Sequence, residues 1–149
     1  MPNYYATQGT NLLILYGIGN CDTCNKARRW LNDESHDYGF HDLRNDGLDI
    51  ETLEQWTARI SWQKFFNTRS LTWRKIPEID RTNITRNKAI TLMIENPTLV
   101  KRPVLESNKF IEVGFSPNHY AKILRKCNHM KNRRRLKTCC KIRLTMHQY

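Results

Sequence analysis

The sequence predicts an α/β fold. Three observations carry that expectation. An unbroken apolar run, Leu12-Leu13-Ile14-Leu15, is followed within ten residues by a helix-periodic stretch. A second strand-like segment comes next, at Tyr38–Leu43. Two further strand-like segments and a Ser-Pro helix start close the patterned part of the chain.

Each element has a local reason. Residues 11–16 show no alternation, which predicts a strand buried on both faces. Residues 22–33 place Cys24, Ala27 and Leu31 at i, i+3 and i+7, the inward stripe of a helix, while Lys26, Arg28 and Arg29 face water or an anion. Strand, helix and strand over this length predict a βαβ unit. Asp49 is a good N-cap for a helix with Leu53, Trp56 and Ile60 as its apolar stripe. Residues 61–80 predict a short helix and then a loop. Asn83 is expected to cap another helix through about Glu95, ended by Asn96-Pro97.

Val100–Glu106 and Phe110–Phe115 predict two strands joined at Ser107-Asn108-Lys109. Ser116-Pro117 offers a cap and a first-turn proline for a last helix, with Tyr120, Ile123 and Leu124 inward. The order βαβ, helices, ββα is the thioredoxin-like order with a helical insertion between its halves.

The chain has 149 residues, enough for one core. The expected division is a short N-terminal extension (1–10), one domain (11–125) and a basic, cysteine-containing tail (126–149), expected to be disordered. Eight of the 25 Lys and Arg lie in 126–149, where no Asp or Glu occurs. Over 1–125, 17 basic residues therefore face 14 acidic ones, and the net charge of +11 falls to +3. Nucleic acid is thus a candidate partner of the tail alone, through Arg133-Arg134-Arg135 and its neighbours. Cys127, His129, Cys139, Cys140 and His147 are zinc-ligand types without a Cys-x-x-Cys spacing, so no metal site is expected. No apolar run approaches the roughly 20 residues of a membrane span. Five cysteines, an odd number, argue against a secreted disulfide framework. A cytoplasmic protein without membrane contact is expected.

The chemistry concentrates at Gly17-Ile18-Gly19-Asn20-Cys21-Asp22-Thr23-Cys24. Cys21 falls where a strand turns into a helix. Unpaired amides and the positive end of the helix dipole favour a thiolate there. Cys21-x-x-Cys24 in a βαβ context has redox spacing. Two readings of Cys24 stand: a thiol that resolves a mixed disulfide on Cys21, or a small core residue sharing the stripe of Ala27 and Leu31. Arg102-Pro103 also has two readings. A proline inside a strand fits a cis bond that brings Arg102 toward the thiolate, or an edge strand with an exposed arginine. His36 and His41 fit structural roles, as does an inward-packed Trp73.

Tyr16–Thr23, Lys26–Leu31, Phe40–Arg44, Asp46-Gly47-Leu48, Asn67-Thr68-Arg69, Thr72–Lys75 and Lys101-Arg102-Pro103, in this order, resemble the arsenate reductase (ArsC/Spx) superfamily. Within it they are most similar to the YffB-type ArsC-like thiol reductases. The resemblance runs from about Leu12 to Leu124. It implies a thioredoxin-like fold with a helical insertion, a nucleophilic cysteine at Cys21, and an Arg-Pro pair at Arg102 and Pro103. Asn20, Thr23, Arg69 and Pro103 are the implied substrate contacts. The family's other two arginines fall at Asn67, with Arg69 as a stand-in two residues on, and near Gly114. With fewer cations an oxyanion is held more weakly, since each charged hydrogen bond contributes about 1.5–3 kcal/mol.

The expected activity is that of a thiol-dependent reductase acting on a small disulfide or oxyanion. Glutathione is the implied co-substrate, glutaredoxin an implied partner, and no bound cofactor is expected. The alternative is an Spx-type redox-sensing regulator that binds RNA polymerase, which the Cys21–Cys24 pair resembles.

Overall fold

A computed structural model describes residues 12–125. The expected extension at 1–10 and basic tail at 126–149 lie outside the described residues. The described residues fall into two compact units, one ending at Phe115 and one beginning at Ser116.

In the first unit β1 (Ile14–Gly17) leads to α1 (Asp22–Asp33) and β2 (Gly39–Asp42). The helical insertion follows: α2 (Ile50–Arg59), a 3-10 turn (Trp62–Lys64), α3 (Leu71–Lys75), α4 (Glu78–Arg81), α5 (Arg86–Glu95) and a second 3-10 turn (Pro97–Leu99). The strands β3 (Val104–Glu106) and β4 (Ile111–Val113) close the sheet. Its order is β2-β1-β3-β4. β1 pairs parallel with β2 (Leu15 opposite Phe40) and antiparallel with β3 (Leu15 opposite Leu105). This is the expected thioredoxin-like arrangement with its helical insertion. In the second unit residues 117–125 are helical, with Tyr120 and Leu124 buried.

Strand alternation sorts the core into two layers. On one face of the sheet, Tyr16 and Val104 join Leu53, Trp56, Phe65, Phe66, Ala89 and Met93 of the insertion in one cluster. Trp56 anchors it. It stacks on Phe65 at 5.3 Å, meets Tyr16 edge-on at 4.8 Å, and donates its indole N–H to Glu106 Oε2 at 3.0 Å. The opposite face carries Leu13, Leu15 and Gly17, and α1 lies over it, because Gly17 sits against the Cys24 side chain. Cys24, Ala27 and Leu31 are fully buried, as the helical stripe predicts.

α1 spans the expected residues, and Asp49 caps α2 by accepting from Thr52 N–H at 2.6 Å. Four expectations are corrected. Asn83 does not cap α5. It sits at φ +51°, a conformation asparagine tolerates, and Thr85 is the cap, its hydroxyl accepting from Lys88 N–H at 3.3 Å. Residues 61–80 hold a 3-10 turn and two short helices rather than one helix and a loop. Ser70 Oγ accepts from Trp73 N–H and starts α3, and Pro77 precedes α4. Ile60 is the C-cap just beyond α2 and not within it, while packing against the core as the stripe predicts. The strand expected over Val100–Glu106 begins only at Val104, because Val100 bridges to Phe66 and Lys101 N–H is taken by Phe65 O at 2.7 Å. Pro103, which has no N–H, follows. No helix among the described residues is long and apolar enough to cross a membrane.

Candidate active site

Cys21 is the N-cap of α1, in extended backbone at φ −102°, ψ 120°. The turn before it explains the placement. Cys21 N–H returns to Ile18 O at 3.1 Å, so Gly19 and Asn20 form the bend that carries the chain from β1 into the helix. Cys21 is half-buried and Cys24, one turn on, is fully buried; both are free thiols.

Burial is the largest influence on Cys21 and opposes its charge. The Cys24 amide, the Cys24 thiol, the Arg102 guanidinium and the Thr23 amide all oppose burial, and together they hold the Cys21 pKa below its ordinary value. Cys24 goes the other way. Burial, with a charge on Cys21 beside it, pushes its pKa up to about 12. One cysteine of the pair is thus set up as a thiolate and the other as a thiol, the division expected of a nucleophile and its hydrogen-bond donor.

Cys21 opens on a cavity of about 600 Å³. Three pieces of chain build its walls. The start of α1 contributes Cys21 and Thr23, the insertion contributes Asn67, Thr68 and Arg69, and the segment before β3 contributes Lys101 and Arg102. Val113 and Gly114 complete it. Backbone hydrogen bonds hold these pieces in register. Asn67 N–H donates to Leu99 O at 2.7 Å, Lys101 N–H to Phe65 O at 2.7 Å, and Gly114 N–H to Pro103 O at 2.7 Å. Asn67 Oδ1 accepts from Arg69 N–H at 3.1 Å, shaping the loop. The Arg102–Pro103 bond is cis.

The lining is cationic: Arg69, Lys101 and Arg102, with no carboxylate. Arg102 Nη1 is buried and has no hydrogen-bond partner among the described residues. A cavity with three cations, a thiolate-prone sulfur and no acid suits an anionic ligand that reacts with sulfur.

Of the residues singled out from sequence, Cys21, Thr23, Arg69 and Arg102 meet at this cavity. Cys24 lies behind Cys21, Pro103 is buried behind the wall, and Asn20 is exposed in the turn; none of these three lines the cavity. Asn67 and Gly114, where the resemblance places two further arginines, both do. Sequence reading missed Lys101 as a lining residue. Its signal was adjacency to Arg102. It also missed Asp42, whose carboxylate reaches the turn before Cys21. Among the described residues no cluster of His, Cys, Asp and Glu has the form of a metal site.

The ArsC family model matches residues 16–123. A protein of Haemophilus influenzae is 38% identical over 109 residues, covering 73% of this chain and 96% of its own length. The global transcriptional regulator Spx of Lactiplantibacillus plantarum is 25% identical over 115 residues, covering 76% of this chain and 86% of its own. Among solved structures, the YFFB protein superposes with a TM-score of 0.71 at 43% identity, covering 74% of this chain and 96% of that one. An arsenate reductase (ArsC) related protein from Brucella melitensis superposes with a TM-score of 0.62 at 44% identity, covering 76% and 95%.

Proposed function

This chain belongs to the ArsC family, and from that premise we propose that it is a thiol-dependent reductase whose nucleophile is the Cys21 thiolate. The observation that carries the reading is the lowered Cys21 pKa at the mouth of a cavity lined by Arg69, Lys101 and Arg102. The thiolate attacks one sulfur of a small anionic disulfide. An S–S bond forms to Cys21, the substrate S–S bond breaks, and its other sulfur leaves as a thiolate. Glutathione, the proposed co-substrate, attacks the substrate-derived sulfur and frees Cys21, giving a glutathione mixed disulfide. Glutaredoxin is the proposed partner that reduces this product. Arg102 steadies charge on Cys21 and on the incoming anion, and an oxyanion such as arsenate would meet the same sulfur and cations. Cytoplasm is the proposed location, since the chemistry needs a reducing thiol pool.

The test is turnover of a small disulfide with glutathione. Cys21→Ser should abolish it, and Cys24→Ser should retain it if glutathione resolves the intermediate. Full turnover by Cys21→Ser would sink the mechanism.

The Spx relative and the Cys21-x-x-Cys24 spacing support a second reading, a redox-responsive regulator that binds RNA polymerase. Recovery of polymerase on the immobilised protein, with no turnover, would favour it.

A further inference from the structure

We infer that Asp42 is a positioning residue for the Cys21 thiolate, acting through the turn at Gly19. Asp42 ends β2, and its carboxylate gathers three amides. Oδ2 accepts from Gly19 N–H at 3.0 Å, while Oδ1 accepts from Arg44 N–H at 2.9 Å and Asn45 N–H at 3.2 Å. Two of these bonds are local. The third crosses 23 residues of sequence to the bend that delivers Cys21.

That bond completes a clamp. Leu43 N–H donates to Gly17 O at 2.8 Å, just before the turn, and Cys21 N–H donates to Ile18 O at 3.1 Å, closing it. With Gly19 also held, the end of β1 and the turn after it are tied to Leu43 and Asp42, at the end of β2, before the chain enters α1. A carboxylate accepting an amide makes a charge-assisted bond, stronger than a neutral one. The largest charges and amides acting on the Cys21 sulfur are those of Arg102, Cys24 and Thr23, and Asp42 hydrogen-bonds to the turn and not to the cavity wall. Its influence therefore runs through backbone placement. The other charged groups at Asp42 are Arg44, whose cation favours the carboxylate, and Asp46, whose Oδ2 accepts from Asp42 N–H at 2.9 Å.

The inference rests on the reading of Cys21 as an activated nucleophile, and its sign is distinctive. Removing a negative charge near a thiolate would, by charge alone, lower the thiolate pKa. Loosening the turn takes the sulfur away from the α1 amides and raises it.

The experiment measures the alkylation rate of Cys21 against pH, resolved by peptide mass, in the full chain and in Asp42→Asn, Asp42→Ala and Asp46→Asn. Asp42→Asn is nearly isosteric and keeps one oxygen for the Arg44 and Asn45 amides. Both Asp42 variants should raise the Cys21 pKa and slow alkylation at pH 7 by about three- to tenfold, tenfold being one pKa unit. Asp46→Asn should leave the profile unmoved. In the unmodified chain, the Gly19 amide should be protected from hydrogen exchange. An unchanged or lowered Cys21 pKa in folded Asp42→Asn, or an unprotected Gly19 amide, would overturn the role of Asp42 while leaving the nucleophile intact. An ordinary Cys21 pKa in the unmodified chain would overturn both.

Discussion

A side chain on Gly17 would collide with Cys24: a Cβ there would lie 2.7 Å from the Cys24 Sγ and 3.2 Å from its Cβ. The end of β1 and the first turn of α1 are therefore in direct contact, with Phe40 closing the third side at 3.3 Å. The glycine lets the helix that carries the cysteine pair lie flat on the sheet.

Gly17→Ala should accordingly destabilise the protein by about 1–3 kcal/mol, the usual cost of overpacking. Removing the obstructing sulfur in Gly17→Ala/Cys24→Ala should recover part of that loss. Chemical denaturation of the two single variants and the double variant reads the coupling, which should be favourable by more than about 0.5 kcal/mol.

Cys24 should stay protonated in the folded state wherever Cys21 is already a thiolate. Its pKa is raised to about 12, so the neutral thiol is what the fold favours. That contribution to stability is present below the unfolded-state value and is lost as pH rises through the folded one. Cys21 has the opposite sign: its contribution is present above the unfolded value and is lost as pH falls through the lowered one. Peptide-resolved alkylation of the native protein near pH 7.5 should modify Cys21 and spare Cys24, and unfolding in denaturant should make Cys24 react.

Arg102→Ala should raise the Cys21 pKa and weaken anion binding at the cavity. Charged hydrogen bonds contribute about 1.5–3 kcal/mol, which is roughly a 10–150-fold loss in affinity. Arg102→Lys keeps the charge and loses the planar fork, so it should restore the pKa better than the affinity. Titration with a small dianion in both variants, beside the Cys21 pH profile, separates the two effects.

Asp49→Ala should cost about 0.5–2 kcal/mol through loss of the α2 cap, with no change at Cys21. Its melting temperature should fall while the Cys21 pH profile stays put. It thus serves as a stability control for variants at the cavity.

Local signals made much of the fold readable in advance. Helix α1, its buried stripe of Cys24, Ala27 and Leu31, and the Asp49 cap all follow from spacing and side-chain type within a few residues. The misplaced elements are those decided at a distance. Val100 and Lys101 look like strand residues, and their backbone is indeed paired, but with Phe65 and Phe66 of the insertion rather than with the sheet. Asn83 and Thr85 are both acceptable caps, and only the positive φ of Asn83 decides between them. At the candidate site Cys21 and Arg102 stood out because a turn and an Arg-Pro pair mark them. Lys101 and Asp42 lie inside the resembling motifs without a mark of their own: one reads as a solvated lysine beside Arg102, and the other reaches its partner across 23 residues.

Whether Cys21 is an activated thiolate is decided by its own titration. The rate of Cys21 alkylation against pH, read on its own peptide in the intact chain, should rise with a midpoint clearly below the free-cysteine value of about 8.5 and then level off. A midpoint at or above that value would make Cys21 an ordinary thiol at the start of a helix and overturn its role as nucleophile.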